Sequence, residues 1–218
     1  MKRRNVLVLN DTADMGRSYY LPFAFVGNKI TNKSKIFSDP KSIALVVFTG
    51  GSDVTPGYYG EKTGKATYSD PYRDKEETSI LNQASKLKIP MFGICRGLQF
   101  LTVMTGGKLI QHVEGHIRQS HLMKTKDKEF AVTSSHHQMV LPKSSDEVIG
   151  WSSPRLSHTY LNGNNEELPV PELEIEAVRF NGVLACGVQY HPEIMEKDTP
   201  GFQFVEEMIR NFLPTAVD

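Results

Sequence analysis

Ile89-Pro90-Met91-Phe92-Gly93-Ile94-Cys95-Arg96-Gly97-Leu98-Gln99-Phe100-Leu101 is the stretch on which the fold turns. Residues 89–94 are an apolar run of strand length, and beyond the cysteine Leu98, Phe100, Leu101 and Met104 recur at roughly helical spacing. A strand that gives way to a helix at one residue between Gly93 and Gly97 has the form of the G-x-nucleophile-x-G elbow, with a thiol as the nucleophile. Glycines are needed because the turn brings backbone segments close together and strains its central residue. A cysteine there stands at a helix N-terminus, whose partial positive charge favours the thiolate. Taken alone, the stretch also suits a cysteine buried as a small apolar side chain between two turn glycines.

Working outward, residues 6–9 and Ile43–Phe48 are unbroken apolar runs, as expected of strands buried on both faces. Residues 19–26 suit a short helix and residues 28–35 a loop. Residues 76–88 put Ile80, Leu81, Ala84 and Leu87 on one helical face, and Gly106-Gly107 stops the elbow helix near Thr105. Buried strands alternating with amphipathic helices predict an α/β fold, a doubly wound, mostly parallel sheet flanked by helices. Ligands in such sheets bind beyond the carboxyl ends of strands, where both Gly50-Gly51 and Cys95 fall. The C-terminal half reads differently. Residues 130–133, 147–151, 173–180 and 183–189 resemble strands, the last two joined by Asn181-Gly182, a strong hairpin signal, so a small antiparallel region is expected there. Phe202, Val205, Met208, Ile209 and Phe212 have the spacing of a closing helix.

The 218 residues suit a single domain, 1–218, able to bury one sizeable core. Its 25 basic and 25 acidic side chains cancel, which argues against a nucleic-acid-binding surface. Met1-Lys2-Arg3-Arg4 is basic, but the apolar run behind it is too short for a signal-peptide core or a membrane span. Cys95 and Cys186 make no disulfide framework, so a reducing cytoplasm is the expected compartment. Residues 162–171, rich in Asn, Glu and Pro, are the expected flexible stretch.

A thiol nucleophile needs a base, and the base needs an orienting partner. His191-Pro192-Glu193 follows the apolar residues 186–190, putting an imidazole at a strand end with a carboxylate two residues on. Pro192 stiffens the link between them. An exposed loop histidine near a solvated glutamate fits the same three residues.

Gly-Ile-Cys-Arg-Gly-Leu-Gln (93–99) together with Gly-Val-Gln-Tyr-His-Pro-Glu (187–193) resembles the class I glutamine amidotransferase family, and within it the peptidase C26 branch of γ-glutamyl hydrolases. The branch features are Gly-Gly-Ser-Asp-Val-Thr-Pro-Gly-Tyr-Tyr-Gly-Glu (50–61), Asp70-Pro71-Tyr72-Arg73-Asp74, Cys-Arg-Gly at the elbow, and Ser134-Ser135-His136-His137-Gln138. These motifs follow one another in family order from about residue 44 to 193. The resemblance implies a flavodoxin-like class I fold with Cys95 as nucleophile, His191 as general base and acid, and Glu193 as the orienter of His191. It implies an oxyanion hole from the backbone N–H groups of Gly51 and Arg96. Gln99, Ser135, His136 and His137 would hold the glutamyl α-amino and α-carboxylate groups. The implied activity is cysteine-dependent hydrolysis of a γ-glutamyl amide through a γ-glutamyl thioester, releasing glutamate and an amine. A glutaminase subunit that passes ammonia to a separate synthetase is the alternative. No cofactor is implied; the partner is a small-molecule γ-glutamyl substrate, with no nucleic acid or membrane and with oligomerisation left open. Residues 1–43 match weakly, and Glu172-Leu173 stands where the branch often has Asp-Gly, which leaves the leaving amine undefined.

Other residues invite a second reading. His112, His116 and His121, near Glu114, have spacing that could suit zinc, but Gly115 interrupts any helix through them, and no metal is expected. Cys186 lies in an apolar run and reads as core. Arg73 and Asp74 could rim the site or cap the helix after Pro71. Tyr58 and Tyr59 could line the leaving-group side or cover the core.

Overall fold

The computed structural model describes residues 4–11 and 17–217, so the basic Met1-Lys2-Arg3 lies outside the described residues. In chain order, β1 (Asn5–Leu9), β2 (Asn28–Ile30), the one-turn α1 (Lys35–Ser38), β3 (Ile43–Phe48), α2 (Pro71–Lys86), β4 (Met91–Ile94) and α3 (Arg96–Met104) build the first half. The second half adds β5 (Lys108–Ile110), β6 (His112–Val113), β7 (Gln119–Lys124), β8 (Glu129–Ser134) and β9 (Met139–Leu141). It continues with β10 (Glu147–Ser152), β11 (Tyr160–Leu161), β12 (Ile175–Phe180), β13 (Ala185–Val188) and α4 (Pro200–Phe212).

A nine-stranded sheet runs in the order β2-β1-β3-β4-β13-β12-β10-β7-β8. Neighbours from β2 to β13 are parallel, and those from β13 to β8 are antiparallel. Two short antiparallel ribbons, β5 with β9 and β6 with β11, lie apart from this sheet. Successive strand residues point to opposite faces, so the unbroken apolar runs feed two separate cores. Val6, Val8, Phe92, Ile94 and Val188 pack with Val205, Met208 and Ile209 of α4 on one face. Leu7, Leu9, Val46, Phe48 and Met91 pack with Ile80 and Ala84 of α2 and Leu98 and Leu101 of α3 on the other. This is the expected α/β sandwich of sheet between helices. Among the described residues no helix is long and apolar enough to cross a membrane.

Three elements differ from expectation. Helix α2 begins at Pro71 rather than near 76, because the Asp70 carboxylate accepts from the N–H groups of Tyr72 and Arg73, each at 3.1 Å. Residues 19–26 hold only a 3₁₀ turn, Leu21–Phe23. Within 28–35 lies β2, an edge strand whose Asn28 and Lys29 are exposed and carry no apolar signal. The Asn181-Gly182 hairpin does join β12 to β13, with Gly182 at φ +90°.

Candidate active site

The elbow owes its shape to close backbone approaches. Cys95 has φ 51° and ψ −110°, a left-handed conformation that an L-residue rarely adopts. A Cβ on Gly97 would sit 2.0 Å from the Phe48 carbonyl oxygen, so only glycine lets α3 start against β3. The Cys95 N–H donates to the Val188 carbonyl at 2.8 Å, extending the β4–β13 ladder in which Ile94 lies opposite Val188. Cys95 therefore stands one residue beyond the end of β4, and His191 three beyond the end of the neighbouring parallel strand. That register is what brings together residues almost a hundred positions apart in the chain.

His191 Nδ1 lies 2.7 Å from Glu193 Oε1, and its backbone carbonyl accepts from Thr133 Oγ1 at 2.8 Å. Burial alone lowers the proton affinity of this ring. The negative charge of the neighbouring Cys95 sulfur and its hydrogen bond, with Glu193 on the other side, outweigh that and hold His191 well above the usual imidazole value. The ring thus lies between the Cys95 sulfur and the Glu193 carboxylate.

The loop after β3 lies against the same ring, since a Cβ on Gly50 would sit 3.1 Å from His191 Cε1. Gly51 has φ +130°, and a Cβ there would collide with Arg73 Nη1 at 2.3 Å. Arg96 opens α3, where the first N–H groups have no acceptor within the helix. Gly51, Arg96, Cys95, Gln99, Ser135, His136 and His137 all border one cleft of about 230 Å³, together with Asp53 and Tyr68. Ser135 is exposed. His137 Nε2 lies 3.1 Å from Asp53 Oδ1. Gln99 is buried, and its amide donates to the Gln138 carbonyl and Gln189 Oε1 at 3.3 and 3.4 Å. His136, also at the cleft border, is buried with Nδ1 on the Gln138 carbonyl at 2.9 Å and Nε2 3.5 Å from Glu176 Oε1.

Sequence reasoning missed the scaffold behind the Gly50-Gly51 loop. The Arg96 guanidinium is buried and pairs with both Asp74 and Glu77 of α2. Arg73 donates to Glu77 Oε1 at 2.8 Å, to the Gly50 carbonyl at 2.9 Å and to the Thr49 carbonyl at 2.9 Å. Neither rim nor cap describes it: Arg73 straps the glycine loop to the helix, and Asp70 does the capping. The available signal was the four-residue spacing of Arg73 and Glu77. Tyr59 is core and Tyr58 is largely exposed. Cys186 is buried in β13, and burial pushes its thiol far above the usual range. Of the residues weighed for zinc, His112 turns its ring toward His137, and Glu114 accepts from Thr159. His116 and His121 point inward instead, toward Glu176.

A strand, a strained cysteine and a helix, beside a buried His–Glu pair, define a class of α/β protein, and comparison narrows it. The Peptidase C26 family model matches residues 29–146. The chain belongs to the Peptidase C26 family. Among its relatives, Gamma-glutamyl-gamma-aminobutyrate hydrolase PuuD of Escherichia coli (strain K12) is 31% identical over 171 residues, covering 71% of this chain and 65% of the relative. A glutamine amidotransferase-like protein, YvdE of Lactococcus lactis, is 29% identical over 170 residues, covering 68% of this chain and 65% of the relative. The matches thus span a little under two thirds of these relatives. The fold is shared with PurLQS from Thermotoga maritima (TM-score 0.64, 17% identity, 98% of this chain and 100% of that one). It is also shared with a glutamine amidotransferase from the same organism (TM-score 0.61, 15% identity, 100% of this chain and 87% of that one).

Proposed function

We propose that this protein hydrolyses the γ-glutamyl amide bond of a γ-glutamyl amine by covalent catalysis at Cys95. The observation that carries the reading is His191, held by Glu193 on one side and hydrogen-bonded to the Cys95 sulfur on the other. The Cys95 thiolate attacks the γ-carbonyl carbon, and the negative charge moves to the carbonyl oxygen. The N–H groups of Gly51 and Arg96 are the donors suited to that oxyanion. As the tetrahedral species collapses, the C–N bond breaks and His191 gives its proton to the departing amine. A water then loses a proton to His191 and attacks the γ-glutamyl thioester. The C–S bond breaks, glutamate leaves, and the thiolate–imidazolium pair is restored. Glu193 keeps the ring oriented and stabilises its charged form throughout.

The reading is supported by family membership and by the name of a relative, a γ-glutamyl-γ-aminobutyrate hydrolase. The test is to incubate the isolated chain with glutamine and with a panel of γ-glutamyl amines, and to trap the acyl-enzyme by rapid acid quench. Amine release with a γ-glutamyl mass adduct on Cys95 is the expected result. Turnover without any adduct, or turnover that survives Cys95→Ala, overturns it. If the isolated chain releases ammonia from glutamine but leaves every γ-glutamyl amine intact, the glutaminase-subunit reading takes its place.

A further inference from the structure

Outside the cleft, the second half buries a cluster of histidines and carboxylates for which the hydrolytic mechanism has no use. His116 comes from the loop after β6, His121 from β7, His136 from the loop after β8, Glu174 from the residues before β12 and Glu176 from β12 itself. None is more than 9% exposed. His121 Nε2 lies 3.1 Å, His116 Nδ1 3.5 Å and His136 Nε2 3.5 Å from the same oxygen, Glu176 Oε1. These three nitrogens and both Glu176 oxygens are buried without a hydrogen-bond partner among the described residues.

The tautomer of His136 makes the conflict explicit. Its Nδ1 faces the Gln138 carbonyl at 2.9 Å, and a carbonyl can only accept. In the neutral ring the proton is on Nδ1, so Nε2 presents a lone pair to a carboxylate oxygen. Lone pairs converging on one point in a dry interior repel each other unless a cation lies between them.

The spacing suggests which cation. An ion with tetrahedral bonds of about 2.0–2.1 Å holds its ligand atoms about 3.3–3.4 Å apart. The separations of His121 Nε2 and His116 Nδ1 from Glu176 Oε1, 3.1 and 3.5 Å, straddle that value. Ligand atoms of His116, His121 and Glu176 all lie within 4.8 Å of one another. An imidazole-rich set with one carboxylate suits zinc and its first-row neighbours, whereas magnesium and calcium prefer oxygen alone.

We propose that His116, His121 and Glu176 bind one divalent ion of the zinc class, with His136 beside the site and its Nε2 3.5 Å from Glu176 Oε1. Glu174 is the outer carboxylate of this site, 3.3 Å from His116 Nε2 and so able to fix that ring with Nδ1 toward the ion. Glu174 is itself held by Ser152 Oγ at 2.6 Å, the N–H groups of Leu156 and Ser157 at 2.7 and 2.8 Å, and the Tyr160 hydroxyl at 2.8 Å. The ion joins the loop after β6 and β7 to β12, the strand paired with the one that leads to His191. Nothing in the hydrolytic steps passes through it.

The test uses the full chain, unfolded in chelator and refolded without metal, then titrated with Co²⁺ and with Zn²⁺. The expected result is one equivalent bound per chain, with the intense visible absorption of tetrahedral Co²⁺. Zn²⁺ bleaches it and raises the thermal midpoint. Cys95→Ser keeps the absorption and His121→Gln loses it. Absence of a stoichiometric Co²⁺ spectrum in the unsubstituted protein overturns the proposal and leaves a cluster held by protons alone. A spectrum that depends on Cys95 overturns it as well. If His121→Gln does not fold, X-ray absorption of the Zn²⁺ complex of the unsubstituted chain decides. A shell of imidazole nitrogens together with oxygen supports the site, while sulfur or an all-oxygen shell refutes it.

Discussion

The two halves of the sheet bury charge in opposite ways. In the parallel half, Arg96, Asp74, Glu77 and Arg73 form a closed chain in which the carboxylates meet guanidinium groups and the strap ends on the Thr49 and Gly50 carbonyls. In the antiparallel half, three imidazoles converge on Glu176 with nitrogens that make no hydrogen bond among the described residues. Arginine is always charged and forked, so it completes such a network without help. Histidine is neutral or charged according to what faces it. In the first half each buried carboxylate thus meets a guanidinium, while the second is balanced only by added protons or an added ion. Between the halves, at the β4–β13 seam, sits the pair Cys95 and His191, which draws on both kinds of chemistry.

Four experiments break or sharpen this contrast. The largest effect is expected at the seam itself. Cys95→Ala should lower kcat on a γ-glutamyl amide by on the order of 10⁴-fold or more, as when a nucleophile is deleted from a cooperating set. Circular dichroism should be unchanged, because the alanine keeps the elbow volume. Glu193→Gln comes next, with a loss of about 10²–10⁴-fold in kcat. It also removes one cause that raises the His191 proton affinity. The alkaline limb of the pH–rate profile should therefore move to lower pH, which a merely structural role would not produce.

The third tests the closed network. Arg96→Met leaves Asp74 and Glu77 buried without their guanidinium and should cost about 3–5 kcal/mol in chemical denaturation. Arg73→Lys keeps the charge but not the fork, so the glycine loop loosens. A drop in kcat of about tenfold, at one lost transition-state contact's worth of about 1.4 kcal/mol, should appear with KM nearly unchanged. The smallest effect is on stability against pH. The folded value for His191 lies above the ordinary 6.5, so its contribution is complete below pH 6.5 and is lost as pH rises through the raised value. Thermal midpoints recorded from pH 6 upward should fall less steeply in His191→Gln than in the unsubstituted protein.

Legibility follows the same division. The unbroken runs at 6–9, 43–48 and 89–94 announced buried strands because both faces of a parallel sheet are covered. The glycines around Cys95 announced the elbow because no Cβ fits against Phe48. The edge strand β2 and the short β5, β6, β9 and β11 left no such trace, since two or three residues are too few to show a period. Arg73 and Glu77 stood in plain view as a four-residue pair on one helix. That they bind a loop more than twenty residues away could not be read from that spacing. The His116 and His121 pair was visible, but its carboxylate is more than fifty positions downstream, and the nearby Glu114 was the wrong one.

Composition and order alone determined the α/β alternation, the strained cysteine between strand and helix, and the His-Pro-Glu segment, because each depends on neighbours within a few residues. Only the tertiary structure decided what those groups face. Strand register set Cys95 beside His191, the Arg73 strap set the glycine loop against both, and the antiparallel strands drew the histidines around Glu176. Long-range contacts of this kind are set by how strands pair and cross over, and local residue pattern carries no record of that pairing.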